Sequence, residues 1–538
     1  MAPCRTTPIS PADAGGLVVS VSPPASAVGT AMLQRGGNAV DAAVAVAFAL
    51  QVTWPSAGNI GGGGFMMVAP PRGKPVCIEY RETAPSAATP TMFKLGERRF
   101  GHKLVGVPGT VRGLALAHEQ FGKLQWGEVV LPSVRLAEDG FALNAALVRS
   151  LNSALRNGAD FPEFARVYGK PGGGTWRAGD RLVQPDLGRT LRSLVDQGAD
   201  AFYRGAIADQ IVAEMKSSQA GLISKADLAN YRAKLRTPIH GTYRGHDLYT
   251  PPPPSSGGVA LVQMLNLLET FDLRRRERWS AETMHLLIET MRRAFLDRAR
   301  HLGDADFVEL PKHLTTKEYA RKLAASIDPH RATRSATLAK DIPLVDEPGE
   351  TTHFSVIDRE GMAVANTYTL EGGFGSKVVV RGAGFLLNNE MGDFNWQPGH
   401  TDTRGNIGTP ANLIAPGKRM LSSMTPTLVL RDGQVVLVTG SPGGRTIINT
   451  VLQVVLNLIE FGMTGPEAVA APRLHHQWLP DRVTFEAVEQ PEFANRLQRL
   501  RAMGHTLNTS ETTQGDAHTI WRDPKTKRYV GIVDQRMQ

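Results

Sequence analysis

The sequence predicts an α+β fold in which helices cover the faces of β-sheets. Helical patterns are concentrated between residues 107 and 218, whereas most strand patterns follow one another after residue 351. Strands gathered in one part of a chain, with helices elsewhere, are typical of sheets that are faced by helices. The 538 residues suffice for one large layered domain or for two or more ordinary domains.

Each predicted element depends on hydrophobic periodicity and on the residues at its ends. Helices are predicted where apolar residues recur every three or four positions, with Asn38 and Ser280 as two of the N-caps. Strands are predicted where residues alternate between faces or where short apolar runs lie between turn residues. The predicted helices cover 24–35, 39–52, 110–121, 130–138, 281–300 and 446–459. The predicted strands cover 17–22, 65–68, 76–80, 243–248, 352–357, 362–370, 376–380, 384–387, 426–430 and 434–439.

The composition limits the classes of function. The formal net charge is +9, but the one dense basic run, 274–278, is short and contains an acid, so nucleic-acid binding is not expected. Two cysteines, Cys4 and Cys77, exclude a disulfide framework and a cysteine-rich metal site. No apolar run is long enough to predict a membrane-spanning helix, and no signal peptide is predicted at the start of this chain.

The junction before the strand at 352–357 is the most informative stretch. A polar, proline-containing linker, 326–350, runs directly into this strand. Cleavage between Glu350 and Thr351 would give Thr351 a free α-amine beside its own hydroxyl, so that nucleophile and base lie on one residue. A threonine pair is also an ordinary feature of a strand, where β-branched residues pack well.

A second chemical signal is the loop between the strand at 434–439 and the helix at 446–459. It reads Gly-Ser-Pro-Gly-Gly and includes Gly443 and Gly444. Backbone N–H groups at the start of a helix can stabilise an oxyanion, and glycines allow a substrate to approach. The alternative interpretation is a simple turn that begins a helix.

Five sequence blocks occur in a fixed order around these two signals: Thr351-Thr352-His353-Phe354-Ser355-Val356, Thr367-Tyr368-Thr369-Leu370, 386–394, 421–426 and 440–444. Together they resemble the small subunit of the gamma-glutamyltranspeptidase family, and the resemblance extends through the N-terminal half. It implies a four-layer α-β-β-α sandwich of the N-terminal nucleophile hydrolase type. It also implies self-cleavage into a large subunit, 1–350, and a small subunit, 351–538, which together form one domain.

The resemblance implies roles for residues in both subunits. Thr351 is expected to be the nucleophile, and Thr369 is expected to orient it. Gly443 and Gly444 are expected to form the oxyanion hole. For the substrate, a γ-glutamyl group needs a cation and acids at opposite sides of its site. The expected groups are Arg81, Ser422 and Ser423 for the α-carboxylate, and Glu390 and Asp393 for the α-ammonium.

One position departs from the family pattern. Position 371 is usually asparagine, whereas this chain has Glu371. A carboxylate there would repel the α-carboxylate of the substrate or accept a hydrogen bond from its α-ammonium. The choice of donor, and the balance between hydrolysis and transfer, therefore remain open. The following segment, 393–422, is long enough to form a lid over the site.

These features predict a γ-glutamyl hydrolase and transpeptidase that needs no cofactor and no metal. The expected donors are glutathione or other γ-glutamyl compounds, and the expected acceptors are water, amino acids and dipeptides. His353 is expected to be structural, and the resemblance implies export, because many members are periplasmic or secreted. Two alternatives are an acylase for glutaryl or cephalosporin-type substrates and an unprocessed ligand-binding homologue. Glutaryl lacks the α-ammonium, so Glu390 and Asp393 would face no cation, which favours γ-glutamyl substrates.

Overall fold

The computed structural model describes residues 5–8, 15–94, 96–339, 351–404, 407–510 and 512–537. These residues form seventeen strands, numbered in chain order. The strands are Arg5–Pro8 (β1), Gly16–Ser20 (β2), Gly63–Ala69 (β3), Val76–Glu79 (β4), Phe141–Ala142 (β5), Arg181–Leu182 (β6), Lys234–Arg236 (β7), Ile239–Tyr243 (β8), His246–Thr250 (β9), Thr352–Asp358 (β10), Ala363–Thr369 (β11), Thr427–Arg431 (β12), Gln434–Thr439 (β13), Leu474–His475 (β14), Thr484–Phe485 (β15), Thr519–Arg522 (β16) and Tyr529–Val533 (β17).

The α-helices of the same residues occur in both halves of the chain. They are Pro23–Gln34, Ala39–Thr53, Thr110–Phe121, Trp126–Asp139, Ala145–Asn157, Pro162–Tyr168, Pro185–Gln197, Asp200–Arg204, Ala206–Lys216, Lys225–Asn230, Gly257–Leu268, Ala281–His301, Lys317–Ala325, Ser335–Leu338, Thr446–Ile459, Gly465–Ala470 and Ala494–Ala502. Both predicted N-caps are confirmed, because the side chain of Asn38 accepts from the Asp41 N–H and that of Ser280 accepts from the Thr283 N–H. Within the described ranges no helix combines the length and apolar character that a membrane crossing requires.

Two antiparallel sheets form the centre of the fold. The six-stranded sheet has the order β2-β10-β11-β3-β4-β7, and the seven-stranded sheet has the order β1-β17-β16-β13-β12-β9-β8. The sheets pack face to face through one apolar cluster, to which the first sheet contributes Val19, Phe65 and Ala365 and the second contributes Leu428, Val438 and Ile520. Burial of this apolar surface holds the sheets together, since each methylene removed from water contributes about 0.8 kcal/mol.

Helices cover the two outer faces. The helix Ala39–Thr53 is buried along its whole length against the six-stranded sheet. The helices Gly257–Leu268 and Thr446–Ile459 share an apolar cluster with Val429 and Leu437 on the outer face of the seven-stranded sheet. The layers are therefore helix, sheet, sheet and helix, and the predicted four-layer arrangement is confirmed.

Three predicted strands are wrong. The segment 243–248 contains the turn of the β8–β9 hairpin, because Arg244 and Gly245 have φ of 47° and 78°. The segments 376–380 and 384–387 exchange backbone hydrogen bonds but form no strands, and the bridge between Val379 and Leu386 is isolated. Lys377 has φ of 63°, which an extended strand does not allow. The remaining predicted strands match observed strands to within a few residues.

Candidate active site

Thr351 immediately precedes β10, which lies between β2 and β11. The first pair of the β10–β11 ladder is Thr352 with Tyr368. Continued by one residue, this register places Thr351 opposite Thr369, and the side chains of opposite residues share one face of a sheet. Thr351 is 8% exposed and Thr369 is 2% exposed. Glu350, on the other side of the predicted cleavage point, lies outside the described residues.

Thr369 is fixed by hydrogen bonds both to its side-chain hydroxyl and to its backbone carbonyl oxygen. The backbone N–H of Glu371 donates to Thr369 Oγ1 at 2.8 Å, and Asn59 Nδ2 donates to the Thr369 carbonyl oxygen at 2.9 Å. A Cβ atom on Gly62 would clash with the same carbonyl oxygen. The glycine run at 58–64 therefore permits the close backbone approach that fixes Thr369.

The loop that contains Gly443 and Gly444 joins β13 to the helix Thr446–Ile459. Gly443 has φ of 123° and Gly444 has φ of 55°, in the region that favours glycine. Thr446 Oγ1 donates to the Gly443 carbonyl oxygen at 2.8 Å, and a Cβ atom on Gly443 would lie 2.5 Å from Thr446 Oγ1. The conformation of the loop therefore requires glycine at 443, and it brings backbone N–H groups to the start of a helix.

A pocket of about 240 Å³ brings together all but one of the residues expected in catalysis or substrate binding. Those that line it are Arg81, Thr351, Thr369, Glu371, Asp393, Ser422, Ser423, Gly443 and Gly444. The remaining one, Glu390, is fully buried and contacts Arg81. The sequence blocks that were far apart along the chain therefore meet in a single cavity.

Arg81 is fully buried among three acids. Its Nη1 lies 2.5 Å from Glu390 Oε2 and 3.5 Å from Glu82 Oε2, and its Nη2 forms an ion pair with Asp393. The expectation that the cation and the acids lie at opposite sides of the site was wrong. A guanidinium removed from water is costly unless hydrogen-bonding or charged partners satisfy it, and here the acids pair with Arg81 directly.

Burial changes the protonation of the acids in this cluster. It raises the pKa of Glu82 to about 8, although the positive charge of Arg81 opposes this shift. Burial also raises the pKa of Glu390 well above its usual range; Arg81 opposes that shift, whereas Glu82 and Asp393 add to it. Near neutral pH the three carboxyl groups therefore carry fewer negative charges than their number suggests.

The two serines are fixed by a neighbouring turn and by an arginine. Ser422 N–H donates to the Pro254 carbonyl oxygen, and Ser256 N–H donates to the Ser422 carbonyl oxygen, both at 2.8 Å. Arg298 donates from Nε to Ser256 Oγ at 2.8 Å and from Nη2 to Ser423 Oγ at 3.1 Å. One planar guanidinium thus connects the segment that contains Ser256 to the segment that contains Ser423. This connection holds the Ser422 and Ser423 hydroxyls at the pocket.

Glu371 follows β11 in a left-handed conformation. Its φ is 77°, which is uncommon for residues other than glycine, asparagine and aspartate. Asn389 Nδ2 donates to its carboxylate. The carboxylate also raises the pKa of Glu390, although less than burial, Glu82 and Asp393 do. Glu371 therefore adds negative charge to the end of the pocket that is expected to receive the α-ammonium.

The segment expected to form a lid is packed against the body of the protein. Phe394 and Trp396 belong to an apolar cluster with Phe93 and Met420, and the Trp396 ring stacks on the Phe93 ring with 4.5 Å between centroids. Asp393 and Ser422, at its two ends, line the pocket. None of the described residues between these ends is among those that line it.

The histidines have structural surroundings. His353 is completely buried and is hydrogen-bonded through Nδ1 to Thr367 Oγ1 at 2.8 Å, and burial lowers its pKa well below the usual range. Away from the pocket, potential metal ligands of His285, Glu289 and His505 lie within 4.8 Å of one another. Glu289 is already paired with two arginines, and Nδ1 of His285 is hydrogen-bonded to His505 Nε2 at 2.8 Å. We assign no metal to this group.

Sequence comparison identifies the family to which this arrangement belongs. The family described as Gamma-glutamyltranspeptidase matches residues 25–538. The chain belongs to the gamma-glutamyltranspeptidase family. Among its relatives, it is 44% identical over 529 residues to the glutathione hydrolase proenzyme of Escherichia coli (strain K12), with 97% of this chain and 90% of that protein covered. It is 37% identical over 536 residues to the Acylase ACY 1 proenzyme of Pseudomonas sp. (strain SE83), with 97% and 92% covered.

Solved structures of the gamma-glutamyltranspeptidase family and of related acylases share the fold. The cephalosporin acylase from Bacillus halodurans aligns with a TM-score of 0.86 at 27% identity, over 99% of this chain and 95% of that chain. The gamma-glutamyltranspeptidase from Pseudomonas nitroreducens complexed with L-DON aligns with a TM-score of 0.56 at 41% identity. That alignment covers 59% of this chain and 96% of the other. The resemblance predicted from the five sequence blocks is confirmed.

Sequence reasoning missed several residues that line or support the pocket. Arg298, Arg445 and Gln477 line it, and Glu82 contacts Arg81 beside it. A signal for Arg298 was present, because it continues the stripe of Met284, Met291 and Phe295 on one face of a predicted helix. An arginine at a buried position of an amphipathic helix indicates a buried polar partner. No such signal marks Arg445 and Gln477, because their location at the pocket depends on the tertiary fold.

Proposed function

We propose that this protein is a self-processing γ-glutamyl hydrolase and transpeptidase that acts through an acyl-threonine. The observation that carries the proposal is the pocket in which Thr351 and Thr369 meet the glycine loop and the Arg81 cluster. A hydroxyl nucleophile, backbone donors for an oxyanion and charged groups for an amino-acid end are what γ-glutamyl amide cleavage needs. Membership of the family and the 44% identity to a glutathione hydrolase proenzyme support the same activity.

The proposed maturation begins in the uncut chain, where the Thr351 nitrogen is an amide and cannot act as a base. The Thr351 hydroxyl oxygen attacks the Glu350 carbonyl carbon, the peptide C–N bond breaks, and the hydroxyl proton passes to the Thr351 nitrogen. Water then hydrolyses the ester, which leaves a carboxylate on Glu350 and a free α-amine and hydroxyl on Thr351. The word proenzyme in the relatives' names supports this step, as does the Pseudomonas nitroreducens chain that spans only 59% of this one.

In the proposed reaction, the free α-amine of Thr351 takes the proton from its own hydroxyl. An unperturbed α-amine titrates near pH ~8, which suits a base at neutral pH. The hydroxyl oxygen attacks the γ-carbonyl carbon, and the N–H groups of Gly443 and Gly444 stabilise the oxyanion. The leaving amine receives the proton, and a γ-glutamyl ester of Thr351 remains. Water or a second amine then attacks the ester carbonyl and releases Thr351.

The proposed donor site uses the charged end of the pocket. The Ser422 and Ser423 hydroxyls and the Arg81 guanidinium would bind the α-carboxylate, for which a planar fork of N–H donors is well suited. Asp393 and Glu390 would bind the α-ammonium. These acids already pair with Arg81, so the substrate would join an existing network of charges. The acids would contact both Arg81 and the substrate ammonium, and Arg81 would contact both the acids and the substrate carboxylate.

The proposed subunits, 1–350 and 351–538, would remain associated as a heterodimer. Strands β10 and β11 lie after the cleavage point, and their neighbours β2 and β3 lie before it. The hydrogen bonds of two ladders, β2–β10 and β11–β3, therefore connect the two fragments. Together with the buried clusters that both fragments share, these ladders hold the cut chain in one domain.

An acylase for glutaryl or cephalosporin-type substrates is the second candidate. One structural observation supports it: Glu390 and Asp393 have Arg81 as a partner, so they need no ammonium from the substrate. The similarity to the Bacillus halodurans cephalosporin acylase supports it as well. The higher identity to the Escherichia coli glutathione hydrolase proenzyme and the extra carboxylate of Glu371 favour γ-glutamyl substrates.

Three measurements test the proposal. Rates of hydrolysis are compared for γ-glutamyl-p-nitroanilide and glutaryl-p-nitroanilide. Faster release of p-nitroaniline from the γ-glutamyl compound is expected, and the reverse order would select the acylase.

The sequence of the smaller fragment, read from its N-terminus, is expected to begin at Thr351. Thr351→Ala is expected to remain a single band on a denaturing gel, whereas Thr351→Ser, which keeps a hydroxyl, is expected to yield two. An active wild type that stays uncut would contradict the proposal.

A periplasmic or secreted location is part of the proposal, since the family resemblance implies export. Cell fractionation of the producing organism tests it: the processed fragments are expected outside the cytoplasmic fraction. Recovery of the mature enzyme only with cytoplasmic markers would contradict this location without affecting the proposed chemistry.

A further inference from the structure

Gln477 lines the pocket of about 240 Å³ but has no part in the donor site proposed above. It follows the short strand Leu474–His475 by two residues. Ser423 and Gly444, which are expected to contact opposite ends of a γ-glutamyl group, line the same pocket. A glutamine side chain has an acceptor oxygen and a donor nitrogen, so its orientation determines what it offers to a ligand.

A chain of hydrogen bonds fixes this orientation, and it begins at Asn449, on the helix that follows the glycine loop. Asn449 Nδ2 donates to the His476 carbonyl oxygen at 3.0 Å and lies 2.7 Å from His475 Nδ1. A carbonyl oxygen only accepts, so the nitrogen of the Asn449 amide is the atom that faces both partners. His475 Nδ1 therefore accepts a hydrogen bond from Asn449 and carries no proton.

The ring of His475 passes this orientation on to Gln477. Burial lowers the pKa of His475 to about 4, so its imidazole is neutral near pH 7 and its one N–H proton is on Nε2. His475 Nε2 lies 2.8 Å from Gln477 Oε1, to which it donates. Gln477 Nε2 donates to the Leu479 carbonyl oxygen at 3.0 Å. Both contacts require the same orientation of the Gln477 amide, with its oxygen toward His475 and its nitrogen toward Leu479.

One N–H group of Gln477 is left for a ligand. A side-chain amide nitrogen has two N–H donors, and the Leu479 carbonyl oxygen accepts one of them. Within the part of the chain that the structure describes, no acceptor pairs with the other. Since Gln477 lines the pocket, it offers this second N–H to an acceptor atom of the substrate.

We infer that Gln477 donates this N–H to the α-carboxylate of the γ-glutamyl substrate and is a further determinant of donor specificity. The acceptors of a γ-glutamyl group are its γ-carbonyl oxygen and its α-carboxylate. The N–H groups of Gly443 and Gly444 are expected to bind the γ-carbonyl oxygen, which leaves the carboxylate. A carboxylate accepts about four hydrogen bonds, and Arg81 already has three acids beside it. The inference rests on the proposed function and adds one residue to its donor site.

The test compares two substrates that differ only in the carboxylate. They are γ-glutamyl-p-nitroanilide and 4-aminobutanoyl-p-nitroanilide, which keeps the amine and the scissile amide. The ratio of their kcat/KM values measures how much the α-carboxylate contributes to the reaction. It is determined within each variant, so a general loss of activity cancels.

Gln477→Met keeps the length of the side chain and removes its N–H donors. The ratio is expected to fall by about tenfold, because a hydrogen bond to a charged group is lost. Gln477→Glu keeps the shape but places a carboxylate beside the carboxylate of the substrate, so a larger fall is expected. His475→Phe keeps a ring but removes the donor that orients Gln477, and a smaller fall is expected.

Arg482→Gln is the matched control, because Arg482 is exposed in the same part of the chain and is not among the residues that line the pocket. It is expected to keep the wild-type ratio. A wild-type ratio in both Gln477→Met and Gln477→Glu would overturn the inference, even if the rates for both substrates fall.

Failure of the proposed function gives a different result. If the wild type cleaves glutaryl-p-nitroanilide faster than the γ-glutamyl compound, the proposed donor is wrong. The role of Gln477 is then measured with glutaryl-p-nitroanilide and butanoyl-p-nitroanilide, which also differ only in the carboxylate. The same variants are expected to lower that ratio, and an unchanged ratio would overturn the inference there too.

Discussion

Thr369 lies opposite Thr351, one residue beyond the Thr352–Tyr368 pair that begins the β10–β11 ladder. Its Oγ1 accepts the Glu371 N–H at 2.8 Å, and both threonines line the same pocket. Thr369→Val, which keeps the β-branched shape, is expected to lower kcat for γ-glutamyl-p-nitroanilide by about 10- to 100-fold, as loss of a positioned donor does. Thr369→Ser is expected to retain most activity. Equal rates for the two variants would contradict a role for the hydroxyl.

Glu371 combines an unfavourable backbone conformation with an acidic environment. Its φ of 77° suits asparagine better than glutamate, and its carboxylate adds to the negative charge around Glu390. Glu371→Asn is therefore expected to raise the free energy of unfolding by about 1 kcal/mol, measured by urea denaturation. Glu371→Gln removes the charge and keeps the backbone strain, so it is expected to gain less. A variant with asparagine that is no more stable than the one with glutamine would contradict the backbone argument.

Gly443 has a conformation and a neighbour that exclude a side chain. In Gly443→Ala the new Cβ meets Thr446 Oγ1, so the loop must move and the expected oxyanion donors move with it. A fall in kcat of about 100-fold or more is expected. Gly433→Ala is the control: its φ is 75°, but nothing lies within 4 Å of its Cβ position. We expect that control to lose about 1 kcal/mol of stability and to keep its kcat.

Arg298 donates from one guanidinium to Ser256 Oγ and to Ser423 Oγ, and so it fixes the turn that holds Ser422 and Ser423. Lysine cannot reproduce this fork, so Arg298→Lys is expected to raise KM for the donor by about tenfold through loss of one such bond, with a smaller effect on kcat. Arg300→Lys, on the same helix, is the control, since Arg300 donates to the Leu338 carbonyl oxygen outside the pocket. A fall confined to kcat in Arg298→Lys would contradict a positioning role for Arg298.

Glu82 makes stability depend on pH. Its pKa is raised by burial from 4.5 to about 8, so between these pH values the folded state holds a proton that the unfolded state has lost. The free energy of unfolding should therefore decrease as pH rises through this window, by up to about 1.4 kcal/mol per pH unit from this group. Glu82→Gln is expected to flatten the decrease. Parallel pH profiles of urea denaturation for the two proteins would show that Glu82 does not titrate in this range.

The sequence predicted the elements that carry the candidate nucleophile and the oxyanion loop. Alternation at 352–357 and the apolar period at 446–459 are local properties, and both elements formed where expected. The turn after β11 was not predictable in the same way. Phe374 and Lys377 adopt positive φ without being glycine, because packing around them, including the contact of Phe374 with Phe164, outweighs local preference.

The surroundings of Arg81 could not be predicted from local sequence either. The resemblance located Arg81, Glu390 and Asp393 in the same site, but charge complementarity with a substrate suggested that they lie apart. In the folded protein the larger requirement is neutralisation of a guanidinium with no exposed surface. Pairing between residues 81 and 390 depends on how two distant segments meet, which periodicity does not encode.

The position of β10 and β11 between β2 and β3 has a consequence for refolding of the enzyme. The intact chain would fold in a unimolecular process, whereas the two fragments left by the proposed cut would have to associate before these ladders could form again. Recovery from denaturant should then depend on protein concentration for the mature enzyme and not for the uncut Thr351→Ala variant. The proposed cut would therefore give each molecule its activity and remove its ability to refold as a single chain.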